Sequence, residues 1–244
     1  MNDQPSLGGV STLWTIVLNA RDKDVAARQE LCRRYHPAVE RYLRSAIREP
    51  GVAGDLAQEF AIKVLRGDLS GVVRERGRFR DFVKGVLRHL ITDHYRKRVR
   101  EVQPGENAPE PASPHDDLAA MDLAWARGWR QELLNRTWNA LADFQAKSGQ
   151  LVFDVLRFRA DNPELKSHEM AERLTQKLGK PVTGDWVRQN IHRARERFGD
   201  LLLAEIVDTL NDPTASDLED ELIELELLQY CQPAFLKWRG ERTA

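Results

Sequence analysis

Apolar residues recur along much of the chain at the spacing that places them on one face of an α-helix. The clearest case is residues 78–100, where the recurring residues are Phe79, Phe82, Val83, Val86, Leu87, Leu90 and Ile91. Lys and Arg occupy half of the remaining positions. This pattern predicts an amphipathic helix that buries one face in a protein core and presents a basic face.

The same periodicity predicts helices over about 25–47, 54–68, 118–147, 151–158, 167–179 and 185–199, with a short helix that starts at Ser11. Pro37 is expected to bend or interrupt the helix over 25–47. Pro50, Gly51 and Gly54 are expected to break the chain before the next helix. The predicted fold class is all-α.

The helix over 54–68 has a mixed surface. Its predicted buried face is formed by Leu56, Phe60, Ala61, Val64 and Leu65. The other face carries Asp55, Gln58, Glu59, Ile62, Lys63 and Arg66. An isoleucine among charged residues indicates either a surface that binds a partner protein or a wider apolar stripe that faces the core.

Composition indicates two domains. The chain has 244 residues, which is enough for two cores, and residues 101–116 combine four prolines with few apolar residues. Such a segment cannot bury enough surface to fold, so it is predicted to be a flexible linker.

The net charge of −1 is unevenly distributed. Residues 74–100 contain ten Lys or Arg and three acids, whereas residues 206–236 contain eight acids and no Lys or Arg. The basic helix interleaves cations with aromatic rings, as nucleic-acid-binding surfaces do. Membranes and partner proteins also bind basic amphipathic helices.

The helices over 167–179 and 185–199 form a pair joined by the turn KPVTGD. The second helix has an apolar stripe, and Arg188, Gln189, His192, Arg193 and Arg195 lie outside it. This is the plan of a helix-turn-helix, and Arg and Gln can read base edges in the major groove. Short helix pairs also occur in proteins that do not bind DNA.

Patterns typical of enzymes and metal sites are incomplete. HEMAE at 168–172 has the first half of a zinc-protease motif but lacks the second His, and GKPVT at 179–183 lacks the glycine spacing of a phosphate-binding loop. Cys32 and His36 are one helical turn apart, for which a buried thiol is favoured over a metal site. We expect no enzyme activity, no cofactor and no metal. Without a signal peptide or a membrane-spanning stretch, the protein is expected to be cytoplasmic and not membrane-bound.

Three motifs in order resemble those of bacterial RNA polymerase sigma factors of the extracytoplasmic-function type. DLAQEF at 55–60 is similar to the family signature D-L-x-Q-E-x-F. The segment FRDFVKGVLRHLITDHYRKR at 79–98 is similar to the basic stretch that follows this signature in the family. HEMAERL and WVRQNIHRARERF resemble the closing helix pair. Phe82 and His89 stand where the family usually has Trp and Asn, and Val52, Ala53 and Gly54 stand where an acidic pair is common.

The resemblance implies a sigma region 2-like domain at 11–100, a linker at 101–116, a region 4-like helix-turn-helix domain at 117–205 and an acidic helical extension at 206–244. It implies a subunit that directs RNA polymerase core to promoters. The implied contacts with the clamp helices of the β-prime subunit are Asp55, Gln58, Glu59 and Ile62. The β flap is a further implied contact. An anti-sigma factor or a kinase is a candidate regulator.

The resemblance also implies two sets of contacts with promoter DNA. The set at the minus-ten element, where the strands separate, is Arg78, Arg80, Lys84, Arg88, Tyr95, Arg96 and Lys97. The set at the minus-thirty-five element is Trp186, Arg188, Gln189, His192, Arg193 and Arg195.

Two alternative functions and the placement of the acidic extension stay open at this point. The protein can be a stand-alone helix-turn-helix regulator, or an adaptor that has a sigma-like shape without DNA activity. The acidic extension can pack its leucines on the last domain, or fold back on a basic DNA-binding surface and lower activity.

Overall fold

The computed structural model describes residues 24–47, 49–66, 78–102, 118–210 and 212–243. They form nine α-helices: α1 (Val25–Ala46), α2 (Pro50–Arg66), α3 (Phe79–Val102), α4 (Leu118–Ser148), α5 (Val152–Asp161), α6 (Ser167–Leu178), α7 (Gly184–Thr209), α8 (Ala215–Glu224) and α9 (Leu228–Thr243). The predicted all-α fold class is confirmed. The predicted helix at Ser11, and the predicted linker beyond Val102, lie outside the described residues.

Helix α1 begins at a capped end and continues through its proline. The carboxylate of Asp24 accepts hydrogen bonds from the backbone N–H groups of Ala26 and Ala27, at 2.9 and 3.1 Å. No interruption occurs at Pro37, so that part of the sequence prediction is wrong. Tyr35 and Val39, on either side of the proline, are 2% and 0% exposed. Their burial offsets the cost of about 3 kcal/mol that a proline imposes inside a helix.

Helix α2 starts earlier than the sequence predicts. Pro50, Gly51 and Gly54 lie inside the helix, so the predicted chain break at these residues is wrong. Proline is favourable in the first turn, where its missing N–H group has no helical partner to lose. Ala53 and Ala57 are buried in the same stretch, and their packing stabilises the first turns despite the two glycines.

The chain divides into two compact units. The first contains residues up to Glu132 together with Val207–Pro213. Its core is supplied by α1, α2, α3 and the first half of α4, and includes the predicted apolar residues Phe79, Val83, Leu87, Leu90 and Ile91. Trp125 and Trp129 of α4 are 0% and 1% exposed in this core.

The second unit contains Leu133–Ile206 and Thr214–Ala244. Buried residues of α5, α6 and α7 form one of its core clusters: Val155, Met170, Ala171, Leu174, Val187 and Ile191. The predicted apolar stripe of α7 is buried and is longer than expected, since Leu202 and Ile206 continue it with 0% exposure.

Helices α8 and α9 are packed within the second unit. Most of the leucines predicted to pack here are in its interior, because Leu218, Leu222, Leu225 and Leu227 are at most 1% exposed. Leu228 is half-buried, and Ile223 is 56% exposed. The backbone of α9 comes close to α7 at Gly199, where a Cβ atom would lie 2.8 Å from the carbonyl oxygen of Tyr230. Gly199 is therefore required for this close approach. The predicted functional domains at 11–100, 117–205 and 206–244 stay predictions.

Candidate nucleic-acid interface

Helix α2 presents the four residues that sequence reasoning assigned to a protein partner. Asp55, Gln58 and Glu59 are exposed, and Ile62 is 46% exposed. Within this stripe, Glu59 lies 3.7 Å from Lys63, which follows one turn later. Ile62 therefore lies outside the core, and the interpretation that it widens the core stripe is wrong.

Leu65 was predicted to be buried but is 45% exposed. At 100° per residue it projects beside Gln58, at the edge of the stripe that contains Ile62. Its carbonyl oxygen accepts a hydrogen bond of 3.0 Å from the guanidinium of Arg28. Leu65 is thus a second apolar residue next to the polar stripe, which the sequence pattern had assigned to the wrong face of the helix.

The basic residues of α3 have different environments. Arg80 is 2% exposed and lies in the core of the first unit. Lys84 and Arg88 are half-buried, and both face Asp122 of α4. The amino group of Lys84 is 3.8 Å from the Asp122 carboxylate, and Arg88 donates a hydrogen bond to the same oxygen. These three predicted DNA contacts are therefore not presented on a single open surface.

The open part of the basic surface is the C-terminal end of α3. Arg96, Lys97, Arg98 and Arg100 are exposed there. Arg98 pairs with Glu49 at 2.6 Å, and this carboxylate raises the pKa of the arginine. Tyr95 is half-buried at this same end, whereas the half-buried Arg78 lies just before the first residue of α3. This end combines adjacent cations with an accessible tyrosine ring, as a surface that pairs with phosphates and stacks on bases does.

A buried tyrosine lies beneath the paired residues of α3 and α4. Burial raises the pKa of the Tyr42 phenol, the positive charge of Arg88 opposes this, and the negative charge of Asp122 reinforces it. The ring of Tyr42 packs edge-on against Trp125, with centroids 5.3 Å apart. The Arg88–Asp122 pair therefore lies at the margin of an aromatic core.

Two threonines define the turn between α6 and α7. The hydroxyl of Thr175 accepts a hydrogen bond of 3.0 Å from the backbone of Val182, and that of Thr183 accepts one of 3.1 Å from the backbone of Trp186. Gly179 adopts a left-handed conformation with φ of 65°, which favours glycine. These contacts determine where the first turns of α7 begin.

The exposed face of α7 carries five of the six predicted residues: Arg188, Gln189, His192, Arg193 and Arg195. Arg188 pairs with Asp185 in the same turn, and His192 lies 3.8 Å from Glu196. Trp186 differs from the others, because its half-buried ring packs against the core cluster of the second unit. The structure therefore presents an exposed helix face rich in planar donors, with Trp186 at its buried edge.

Neither a metal centre nor a membrane segment is found in the described ranges. Across this part of the chain, no three His, Cys, Asp or Glu side chains gather closely enough to hold a metal ion. Cys32, for which a buried thiol was favoured over a metal site shared with His36, is half-buried, with its Sγ 3.7 Å from the carbonyl oxygen of Ala61. None of the described helices has the length and apolar character needed to cross a lipid bilayer.

Comparison with known proteins identifies the part of the chain that contains the α2 stripe and the basic helix. Residues 31–101 match the family model of Sigma-70 region 2. No curated protein and no solved structure gives a significant match. The match covers most of α1, all of α2 and nearly all of α3, and ends before α4. Residues 31–101 are therefore a Sigma-70 region 2 domain, which supports a role as a sigma factor.

Proposed function

We propose that the protein is a sigma factor of the extracytoplasmic-function type, which binds RNA polymerase core in the cytoplasm and directs it to promoters. The observation that carries this proposal is the Sigma-70 region 2 match over residues 31–101, which contains both the exposed α2 stripe and the basic helix α3. The role is binding and DNA opening rather than catalysis.

The α2 stripe is the proposed contact with the clamp helices of the β-prime subunit. Asp55 and Glu59 supply negative charge, Gln58 supplies hydrogen bonds and Ile62 supplies apolar area at the C-terminal end of the stripe. Apolar residues ringed by polar ones are typical of the energetically dominant part of a protein interface. Leu65 would add to the buried area.

Helix α3 is the proposed contact with the minus-ten element. The exposed cations Arg96 and Lys97 would pair with the DNA backbone, and Tyr95 would stack on an unpaired base. Extruding a base from the duplex costs a few kcal/mol, roughly what one stacked base and its phosphate contacts can supply.

The exposed face of α7 is the proposed reader of the minus-thirty-five element. Gln189 and Arg193 would contact base edges, since bidentate donors and acceptors distinguish adenine and guanine in the major groove. The α6–α7 pair would then act as a region 4-like helix-turn-helix. The β flap is a further proposed polymerase contact, and an anti-sigma factor or a kinase is the proposed regulator.

The test is transcription in vitro with purified full-length protein and RNA polymerase core on a library of promoter fragments. A sigma factor gives transcripts from a defined subset of fragments only when both components are present. A footprint on DNA without polymerase would instead support a stand-alone helix-turn-helix regulator. Neither transcripts nor a footprint would support an adaptor without DNA activity.

A further inference from the structure

The first half of α4 is held firmly against the region 2 domain, although it lies beyond the matched residues. Trp125 packs against Tyr42, and Trp129 stacks on Tyr35. At the end of this half, Glu132 pairs with Arg41 of α1 at 2.8 Å. This half of α4 is therefore anchored to α1 by two buried aromatic contacts and an ion pair.

The anchored helix brings one carboxylate to two cations of α3. A single oxygen of Asp122 accepts a hydrogen bond from Arg88 and lies 3.8 Å from the amino group of Lys84. The side chain of Asp122 is 43% exposed, that of Arg88 38% and that of Lys84 20%. The cluster is at the surface, where a strand of nucleic acid could reach the cations if the carboxylate moved away.

An anionic oxygen between an arginine and a lysine is also the arrangement in which proteins hold a phosphate. Asp122 therefore satisfies the cations in the way that a DNA phosphate would. We propose that Asp122 competes with DNA for Lys84 and Arg88, so that α4 limits the DNA affinity of the region 2 domain. This inference rests on the proposed DNA contact of α3.

While Asp122 pairs with Lys84 and Arg88, DNA would contact only the C-terminal end of α3. Arg96 and Lys97 are exposed, and among the described residues neither forms an ion pair. Binding of a strand at this end would bring further phosphates toward Lys84 and Arg88. Because Asp122 belongs to a helix anchored by Trp125 and Trp129, displacing it is unfavourable, and DNA affinity is reduced accordingly.

The test compares Asp122→Asn with Asp143→Asn in the full-length protein. Asp143 is an exposed residue of α4 outside the first unit, so both variants lose one negative charge from the same helix. The probe is a fluorescein-labelled oligo(dT) single strand, whose dissociation constant is measured by anisotropy over a series of salt concentrations.

Asp122→Asn is expected to bind the strand about three to ten times more tightly at low salt than either the unmodified protein or Asp143→Asn. This range is expected from releasing Arg88 and removing one of the two carboxylates near Lys84, which also lies 3.8 Å from Asp81. The slope of log affinity against log salt is expected to steepen by about 0.7 for each additional phosphate that the protein neutralises. A change in fold stability alone would not steepen this slope. Equal affinities of the two variants would overturn the proposal.

A second set of variants tests whether Lys84 and Arg88 cause the tighter binding. In the Asp122→Asn background, replacing Lys84 and Arg88 by glutamine is expected to return both the affinity and the salt slope to those of the unmodified protein. Tighter binding that persists without these cations would also overturn the proposal. The transcription assay with core polymerase is scored separately: its failure would refute the sigma-factor function, whereas the oligonucleotide affinities decide the role of Asp122.

Discussion

Trp129 of α4 lies stacked on Tyr35 of α1, with ring centroids 4.9 Å apart and ring planes inclined by 11°. Both rings are buried, at 1% and 2% exposure. The match to Sigma-70 region 2 ends at residue 101, so this stack joins the region 2 domain to a helix outside it. Part of the domain's core is therefore supplied by a segment beyond the matched sequence.

Replacing Trp129 by alanine is expected to lower the free energy of unfolding of the first unit by about 3–5 kcal/mol, the usual cost of truncating a buried tryptophan. Urea unfolding followed by circular dichroism measures this change. Leu123→Ala is the matched control, because Leu123 is in the same helix but 48% exposed. It should change the stability by less than about 0.5 kcal/mol. Similar effects of the two substitutions would show that α4 is not part of the first core.

Ile62→Ala is expected to weaken binding to RNA polymerase core by about fivefold or more, because the truncation removes apolar area that the proposed interface would bury. The protein's own stability should not fall, since the side chain is 46% exposed. Surface plasmon resonance with immobilised core polymerase measures the affinity. Val25→Ala, which truncates a 61% exposed apolar residue of α1, should leave it unchanged. Equal binding by the Ile62 and Val25 variants would exclude this stripe as the contact.

Gln189 and Trp186 are expected to respond differently to truncation. Gln189→Ala should leave the unfolding temperature unchanged and reduce discrimination at one base pair by about 1–3 kcal/mol, because Gln189 is exposed on α7. Trp186→Ala should lower the unfolding temperature, because its ring packs against the core cluster of the second unit. Calorimetry and competition binding with base-substituted DNA duplexes separate the two effects. Loss of stability in the Gln189 variant would contradict this assignment.

The two cysteines are expected to react at different rates. Burial raises the pKa of Cys231 to about 12, and it also raises the pKa of the half-buried Cys32. In folded protein at pH 8, a disulfide reagent should label the more accessible Cys32 first, and Cys231 only on unfolding. Mass spectrometry of the labelled peptides measures the order. Rapid labelling of Cys231 would show that α9 opens readily from the second unit.

The raised pKa of Cys231 also makes the free energy of unfolding decrease as pH rises. Its ordinary value is 9.0 and its folded value is about 12, so the unfolded chain loses this proton first as pH rises. The thiol's contribution is fully present below pH 9.0 and is lost progressively toward pH 12. Cys231→Ala should make the urea midpoint less sensitive to pH over this range, and an unchanged dependence would contradict the assignment.

Local sequence pattern accounted for most helices. The apolar face of α7 and most of that of α3 were predicted correctly, because helical periodicity alone decides which side chains share a face. Phe82 and Val86, predicted on the apolar face of α3, are only half-buried. The errors at Pro37 and at Pro50 have a common cause. Local rules treat proline and glycine as breaks, whereas the burial of Tyr35, Val39 and Ala53 stabilises the helices around them.

The candidate surfaces were predicted less completely than the helices. Sequence alone identified the motif DLAQEF, the basic run of α3 and the polar face of α7, since these depend on residue type and spacing. It could not distinguish Arg80, which is buried, from Arg96, which is exposed, because both occur in the same basic run. It also could not show that Asp122 reaches Lys84 and Arg88, which are more than thirty residues away along the chain.

The sequence by itself determined the all-α class, the order of the motifs and the presence of a Sigma-70 region 2 domain, since these follow from short-range periodicity and residue identity. Only the tertiary structure decided that Ile62 is exposed, that Trp125 and Trp129 complete the first core, and that Asp122 neutralises two cations of the basic helix. The physical reason is that exposure and ion pairing depend on which helices pack together. That packing depends on contacts between distant residues, which the spacing within any one helix does not specify.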